Sequence, residues 1–280
     1  MSAMKNAIKL YKEPKSKDCD FFASWPGIGN VSLIIAKYLK DKLNAEEIGI
    51  IEPFDFYNPI GVMVKNNIIE APQFPESKFY YWHNPNSDRG LILFISDEQP
   101  SSKGYDLANG VLDISKKLRI KRVYTCAAAI AKIHHTEMPR VWGAATNQGL
   151  IEELKKYDIV LRGDIQIAGL NGLFLGVAKE RGIDGICLLG EVPAYTTRIP
   201  NPKAALAILG VMSQMLNIKI DLSQLSDIAR QTDEEMKRLA AEAMEEFITS
   251  YTKPVWPPEE EYEDDDDEGD DEEEEKNAEN

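Results

Sequence analysis

The chain has 280 residues, 43% of them hydrophobic, with 47 acidic against 32 basic side chains and a formal net charge of −15. Sixteen of the acids but only one base lie in 259–280, so that stretch carries the whole net charge and the thirty-one residues of each sign elsewhere cancel. A neutral body without an aromatic-interleaved Lys/Arg cluster argues against nucleic-acid binding, and apolar runs such as 91–95 fall far short of the ~20 residues of a membrane helix.

Strand-like and helical runs alternate along the chain. Residues 20–25 read as a strand, P-G-I-G-N (Pro26 to Asn30) as a turn, and 31–43 as a helix with Leu33, Ile34, Lys37, Tyr38 and Leu39 on or near its inner face. Residues 48–51 are a further strand, and 62–70 a hairpin turning at Asn66-Asn67. Strands follow at 78–82 and 91–96, then a helix over 105–118 and a strand over 122–127. The pattern loosens through H-H-T-E-M-P-R-V-W-G (134–143), read as a long loop or an inserted hairpin, before a helix at 150–156 and an extended piece at 159–161.

The densest signal is G-L-N-G-L-F-L-G-V-A-K-E-R-G-I-D-G-I-C-L-L-G-E-V-P (Gly169 to Pro193). Leu170, Leu173, Phe174, Val177 and Ala178 repeat at helical spacing, and Gly169, Gly172 and Gly176 leave room for close approach on a neighbouring face. Gly182 suits a left-handed C-cap, Asp184-Gly185 a turn, and Ile186 to Leu189 a buried strand. A helix starting at Pro202 follows, then a last one over 223–250 capped by Ser223 or Asp221, with an apolar stripe that packs on its own domain or on another subunit.

Three cysteines, Cys19, Cys126 and Cys187, sit in or beside apolar runs and read as reduced core residues of a cytoplasmic protein, and no secretory leader is evident at the N-terminus. Gly27-x-Gly29 lies where a phosphate turn would, but Ser32 replaces the third glycine, so a tight structural turn is the plainer reading. His134, His135 and Glu137 are the one grouping of metal-type ligands; adjacent histidines on extended chain point to opposite faces, so no metal is expected. Asp97-Glu98 and Gly190-Glu191 stand at the carboxyl ends of predicted strands, where ligands of open α/β sheets bind. For Glu191 the plainer reading is an ion pair or a capped loop. No catalytic constellation emerges.

Several segments together resemble the archaeal and bacterial branch of the proteasome assembly chaperone family. They are S-W-P-G-I-G-N-V (24–31), D-E-Q-P-S-S-K-G-Y (97–105), K-R-V-Y-T (121–125), the 169–193 stretch with P-N-P-K-A-A (200–205), and I-D-L-S-Q-L (220–225). The resemblance covers about 18–250. It implies a three-layer α/β domain of the phosphorylase/hydrolase-like kind, assembly as a trimer, and docking to proteasome α-subunits; no catalytic residues carry over. Members that engage the proteasome directly end in a hydrophobic-Tyr-any tail. Here the sequence ends K-N-A-E-N (276–280), so opening of the proteasome gate by the C-terminus is not expected.

The reading is therefore an α/β fold with three layers, a mostly parallel sheet and helices on both faces, plus a C-terminal amphipathic helix. The division is an N-terminal segment (1–17), the α/β domain (18–222), the helix (223–252) and a disordered acidic tail (253–280). The expected function is a non-enzymatic, cytoplasmic, homo-oligomeric docking platform without cofactor, whose interface uses Leu225, Ile228, Met236, Leu239, Met244 and Phe247. The alternative is a small-molecule-binding protein or enzyme with a strand-end pocket built from Pro26, Gly27, Gly29, Asn30, Asp97, Glu98, Gly190 and Glu191.

Overall fold

The computed structural model describes residues 7–59, 61–85 and 87–252, with backbone alone at 240, 243, 247 and 250–252. The acidic tail lies outside the described residues. Ten strands are present among those described: β1 (Ile8–Leu10), β2 (Asp18–Ser24), β3 (Glu46–Ile51), β4 (Val64–Lys65), β5 (Ile68–Ile69), β6 (Ser77–His83), β7 (Arg89–Ser96), β8 (Ile120–Ala131), β9 (Val141–Ala145) and β10 (Asp184–Pro193). Eight of them form one sheet in the order β1-β3-β6-β7-β2-β8-β10-β9. The inner four, β7-β2-β8-β10, run parallel, and the outer pairings are antiparallel. Parallel strands are covered on both faces, and for that reason they are written as unbroken apolar runs such as L-I-L-F-I in β7.

Alternation along these strands feeds two cores. Phe21, Ala23 and Trp25 join Phe94 and Cys187 under α2 (Gly104–Asp113) and α4 (Leu170–Glu180), whereas Phe22 joins Leu93, Cys126 and Leu188 on the opposite face. α1 (Val31–Leu43), α3 (Gln148–Leu154) and α5 (Pro202–Met215) cover that second face. The result is the expected three-layer arrangement. Phe174 of α4 anchors the first core, its ring centroid 5.9 Å from Phe21 and 5.5 Å from Trp25, with Trp25 edge-on to Phe94 at 5.2 Å. Such aromatic contacts add roughly 0.5–1.5 kcal/mol each beyond area burial.

The three cysteines are buried and unpaired, as expected. Asn66 and Asn67 turn the β4–β5 hairpin with φ of 48° and 63°, and Gly182 takes φ of 67° after α4. Other expectations need correction. α1 buries Val31, Ile35, Leu39 and Leu43, a four-residue stripe, together with Leu33 and Ala36, while Lys37 is exposed and pairs with Asp97 at 3.5 Å. Of the expected inner face only Lys37 turns outward: Leu33 and Leu39 are buried, and Ile34 and Tyr38 pack half-buried against the same core. α2 stops at Asp113, and turns carry the chain through Arg119, at φ of 57°. The 134–143 segment is neither a plain loop nor a hairpin, because it ends in edge strand β9, antiparallel to β10. Its apolar alternation is blunted by Gly143, where a Cβ would come within 2.7 Å of Ile159. Asp184-Gly185 lies inside β10 rather than in a turn.

The last helix, α6, spans Ser223–Thr252. Asp221 accepts the Ser223 N–H at 2.9 Å, and Leu225 and Ala229 are buried. Up to residue 237 the chain forms one compact unit. Within 238–252, Arg238 pairs with Glu242 at 2.7 Å, and Leu239, Met244 and Ile248 are exposed. No helix among the described residues is long and apolar enough to cross a membrane.

Candidate functional site: a strand-end cleft

At the carboxyl ends of β2, β8 and β10 the sheet opens into a cleft of about 540 Å³. One wall is the Gly27–Ile28 turn with Ser32, a second is the end of β8 at 127–130, and a third is the loop 165–169 leading into α4. Two amides hold these walls together. Gln99 donates through Nε2 to the Pro26 carbonyl at 2.5 Å and accepts the Leu170 N–H at 2.9 Å. Asn171 accepts the Trp25 N–H and donates to the Trp25 carbonyl, both at 3.2 Å. The turn after β2 is thereby clamped to the start of α4.

Glycines at α4 make this clamp possible. Gly169 has φ of 75°, and a Cβ there would lie 2.9 Å from the Gln99 amide. A Cβ on Gly172 would fall 2.0 Å from the Ile167 carbonyl oxygen, so the cleft loop lies directly on the helix. Close approach is thus realised at Gly172, whereas Gly176 faces open space.

The residues singled out from sequence fall in different places. Gly27 lines the cleft, whereas Pro26 is not among its lining residues and only its carbonyl is held by Gln99. Gly29, at φ of 63°, donates to Thr197 and accepts from the Asn201 N–H at 2.8 Å, which ties the turn to the approach of α5; Asn30 is left-handed at φ of 49°. Asp97 and Glu98 are exposed and are not among the lining residues; the Glu98 carbonyl accepts from Tyr57 at 3.0 Å and from Ser96 at 2.8 Å. Gly190 lets β10 pass beneath α5, since a Cβ would meet Ala204 at 2.9 Å.

Glu191 is 1% exposed and sits inside β10. Its carboxylate accepts from the Arg140 N–H at 3.1 Å, Arg140 Nη2 at 2.7 Å, Arg140 Nε at 3.0 Å and Trp142 Nε1 at 2.9 Å. Burial alone would raise its pKa, but these donors outweigh burial and hold it below the usual carboxylate range. Beside it, His134 and His135 lie in a turn with ring centroids 4.1 Å apart, not on opposite faces of an extended chain. His135 bonds the Tyr195 hydroxyl at 3.0 Å, and burial lowers its pKa. Lys203 donates to the His135 carbonyl at 2.6 Å and pairs with Asp233.

Of the α6 residues expected at an interface, Leu225 is in its own domain's core, Met236 is half-buried, and Ile228, Leu239 and Met244 are exposed. The Phe247 side chain lies outside the described residues. Sequence reasoning missed Gln99 and Asn171 as the clamp. For Asn171 the signal was an amide in a glycine-bracketed helix start, which names no partner by itself, and no local pattern marked Gln99.

The PAC2 family model matches residues 21–240. The uncharacterized protein MJ1210 of Methanocaldococcus jannaschii is 30% identical over 218 residues, 76% of this chain and 80% of that one. Among solved structures, Pyrococcus furiosus PbaB, described as an archaeal proteasome activator, is 29% identical with a TM-score of 0.71, covering 83% of this chain and 98% of that one. P. furiosus PbaA, an archaeal homolog of proteasome-assembly chaperone, shares the fold at 22% identity and a TM-score of 0.64, over 85% and 98% of the two chains. The match over most of the length, on the α/β framework described above, makes this chain a member of the PAC2 family.

Proposed function

We propose that this chain is a non-enzymatic, cytoplasmic docking protein that self-associates, as a trimer by family resemblance, and binds proteasome α-subunits. The observation that carries the reading is its likeness to PbaB over nearly the whole of that proteasome activator. Three features of the chain support it. Apolar side chains stand exposed on the β4–β5 hairpin (Val64, Ile68, Ile69) and along α6 (Leu239, Met244, Ile248), the kind of surface a protein partner covers. The cysteine thiols are buried with pKa values raised by desolvation, to about 12 for Cys187 and about 11 for Cys19, which suits packing rather than nucleophilic chemistry. The 259–280 stretch, with its net charge of −15, supplies attraction to a basic partner surface.

The test is to mix the full-length protein with purified α-subunits of its own organism's proteasome and follow complexes by sedimentation and native mass spectrometry. A complex is expected, weakened at low salt by removal of 254–280 and less affected at high salt, where charge is screened. Absence of any complex at micromolar concentration overturns the docking reading, and salt-independent behaviour of the truncation removes the tail from it.

A further inference from the structure

We propose that the strand-end cleft receives an extended, uncharged segment of another protein, which adds as a strand along the free edge of β8. The register leaves that edge open. β2 pairs with β8 only as far as Ala23 beside Thr125 and ends at Ser24, whereas β8 runs on to Ala131 with β10 alongside it. Residues 126–131 thus have a strand neighbour on one side alone. In a parallel ladder alternate residues turn their N–H and C=O to the same side, so about half of these peptide groups face the side that β2 has left. Among the described residues, no backbone group outside the sheet bonds to 127–131.

The cleft lies on this edge and not on a face of the sheet. Ala127, Ala128, Ala129 and Ile130 all line it. Successive strand residues point to opposite faces, and here Ala127 and Ala129 pack on the core under α4 while Ala128 packs on the core under α5. A cavity that touches consecutive residues from both faces runs beside the backbone. Its other walls are the Gly27–Ile28 turn and the 165–169 loop.

The chemistry of the occupant follows. An open strand edge offers donors and acceptors in alternation, a pattern that another extended backbone matches along its length. No charged side chain lines the cleft, and Ile28, Ile165 and Ile167 make the flanking walls apolar. Edges kept solitary are blunted by lysine, proline or a bulge; A-A-A-I (127–130) has neither residue, and its register to β10 is unbroken. At ~3.3 Å per residue, 127–131 accommodates a segment of about five residues. This site does not rest on the proteasome reading, and peptide binding and α-subunit docking can fail separately.

The experiment follows the fluorescence anisotropy of dye-labelled acetyl-Lys-Gly-Val-Ala-Val-Ala-Val-Gly-Lys-amide with the full-length protein, and amide exchange of 127–131 with and without the peptide. Saturable binding and slower exchange at 127–131 are expected. Two further peptides carry N-methyl groups on alternate amides, one set on each edge. One should bind as the parent does and the other about tenfold or more weakly, because backbone hydrogen bonds to β8 are lost. Ile130→Lys places a charge at the open edge and should weaken binding several-fold; Ile130 is 57% exposed, so the fold tolerates the change. Ile28→Asp, on the facing wall, repeats the test should Ile130→Lys alter melting. No saturable binding, equal binding of the two methylated peptides, or binding unchanged in both variants overturns the proposal. Protection of 127–131 that rises with protein concentration alone also overturns it, by making a second copy of this chain the occupant.

Discussion

Glu191→Gln is the substitution whose consequence the structure specifies most fully. The carboxylate is 1% exposed and receives the Arg140 backbone N–H, two guanidinium nitrogens and the Trp142 indole. A glutamine retains one acceptor but turns an amide donor towards one of these donors, and the bonds that remain lose their ionic component. Hydrogen bonds to charged groups contribute roughly 1.5–3 kcal/mol, and an orphaned buried donor costs roughly 1–3 kcal/mol. The Arg140 side chain is 54% exposed and rehydrates when its partner is lost, which offsets part of the deficit. The expected cost is about 2–3 kcal/mol, or a melting temperature lower by about 5–10 °C in a domain of this size. Urea unfolding of both proteins as a function of pH is the assay. The native pKa of Glu191 is depressed, so the ionic part of its contribution is fully present above the unfolded value near ~4.3 and is lost as pH falls through the native value. The gap between the two proteins should therefore be constant from pH 7 to about 5 and narrow below that. A gap under about 0.5 kcal/mol at pH 7, or one that persists unchanged to pH 3, would refute the account of the Arg140–Glu191–Trp142 cluster.

Gly172→Ala drives a Cβ into the Ile167 carbonyl and should cost at least about 2 kcal/mol, whereas Gly176→Ala, which faces open space, should stabilise α4 by about 0.5–1 kcal/mol. Chemical denaturation of both variants checks this, and equal stabilities would show that the cleft loop does not rest on the helix. Cys19, Cys126 and Cys187 are buried with thiol pKa values raised by desolvation. A thiol reagent at pH 8 should leave all three unmodified in the native protein and label all three in guanidinium; rapid native labelling of any one contradicts the packing described.

Local pattern was enough to establish the kinds of element. Unbroken apolar runs marked β7 and the body of β10 as covered strands, Asn66-Asn67 marked a turn because asparagine tolerates positive φ, and the glycine at 182 marked the end of α4. The cysteines were read as core residues from their neighbours alone, and the family was legible in ordered segments spread over most of the chain. Tertiary structure decided the rest. Lys37 of α1 turns away from the core to Asp97, which stands 60 residues on in the sequence, and β9 is a strand only because β10 offers an edge. Gln99 meets Leu170 across 71 residues, Asn171 meets Trp25 across 146, and Glu191 meets Arg140 across 51. Secondary structure is encoded by periodic burial, which a short window displays. A polar side chain's partner is set by strand order and register, which bring together residues that no local window contains.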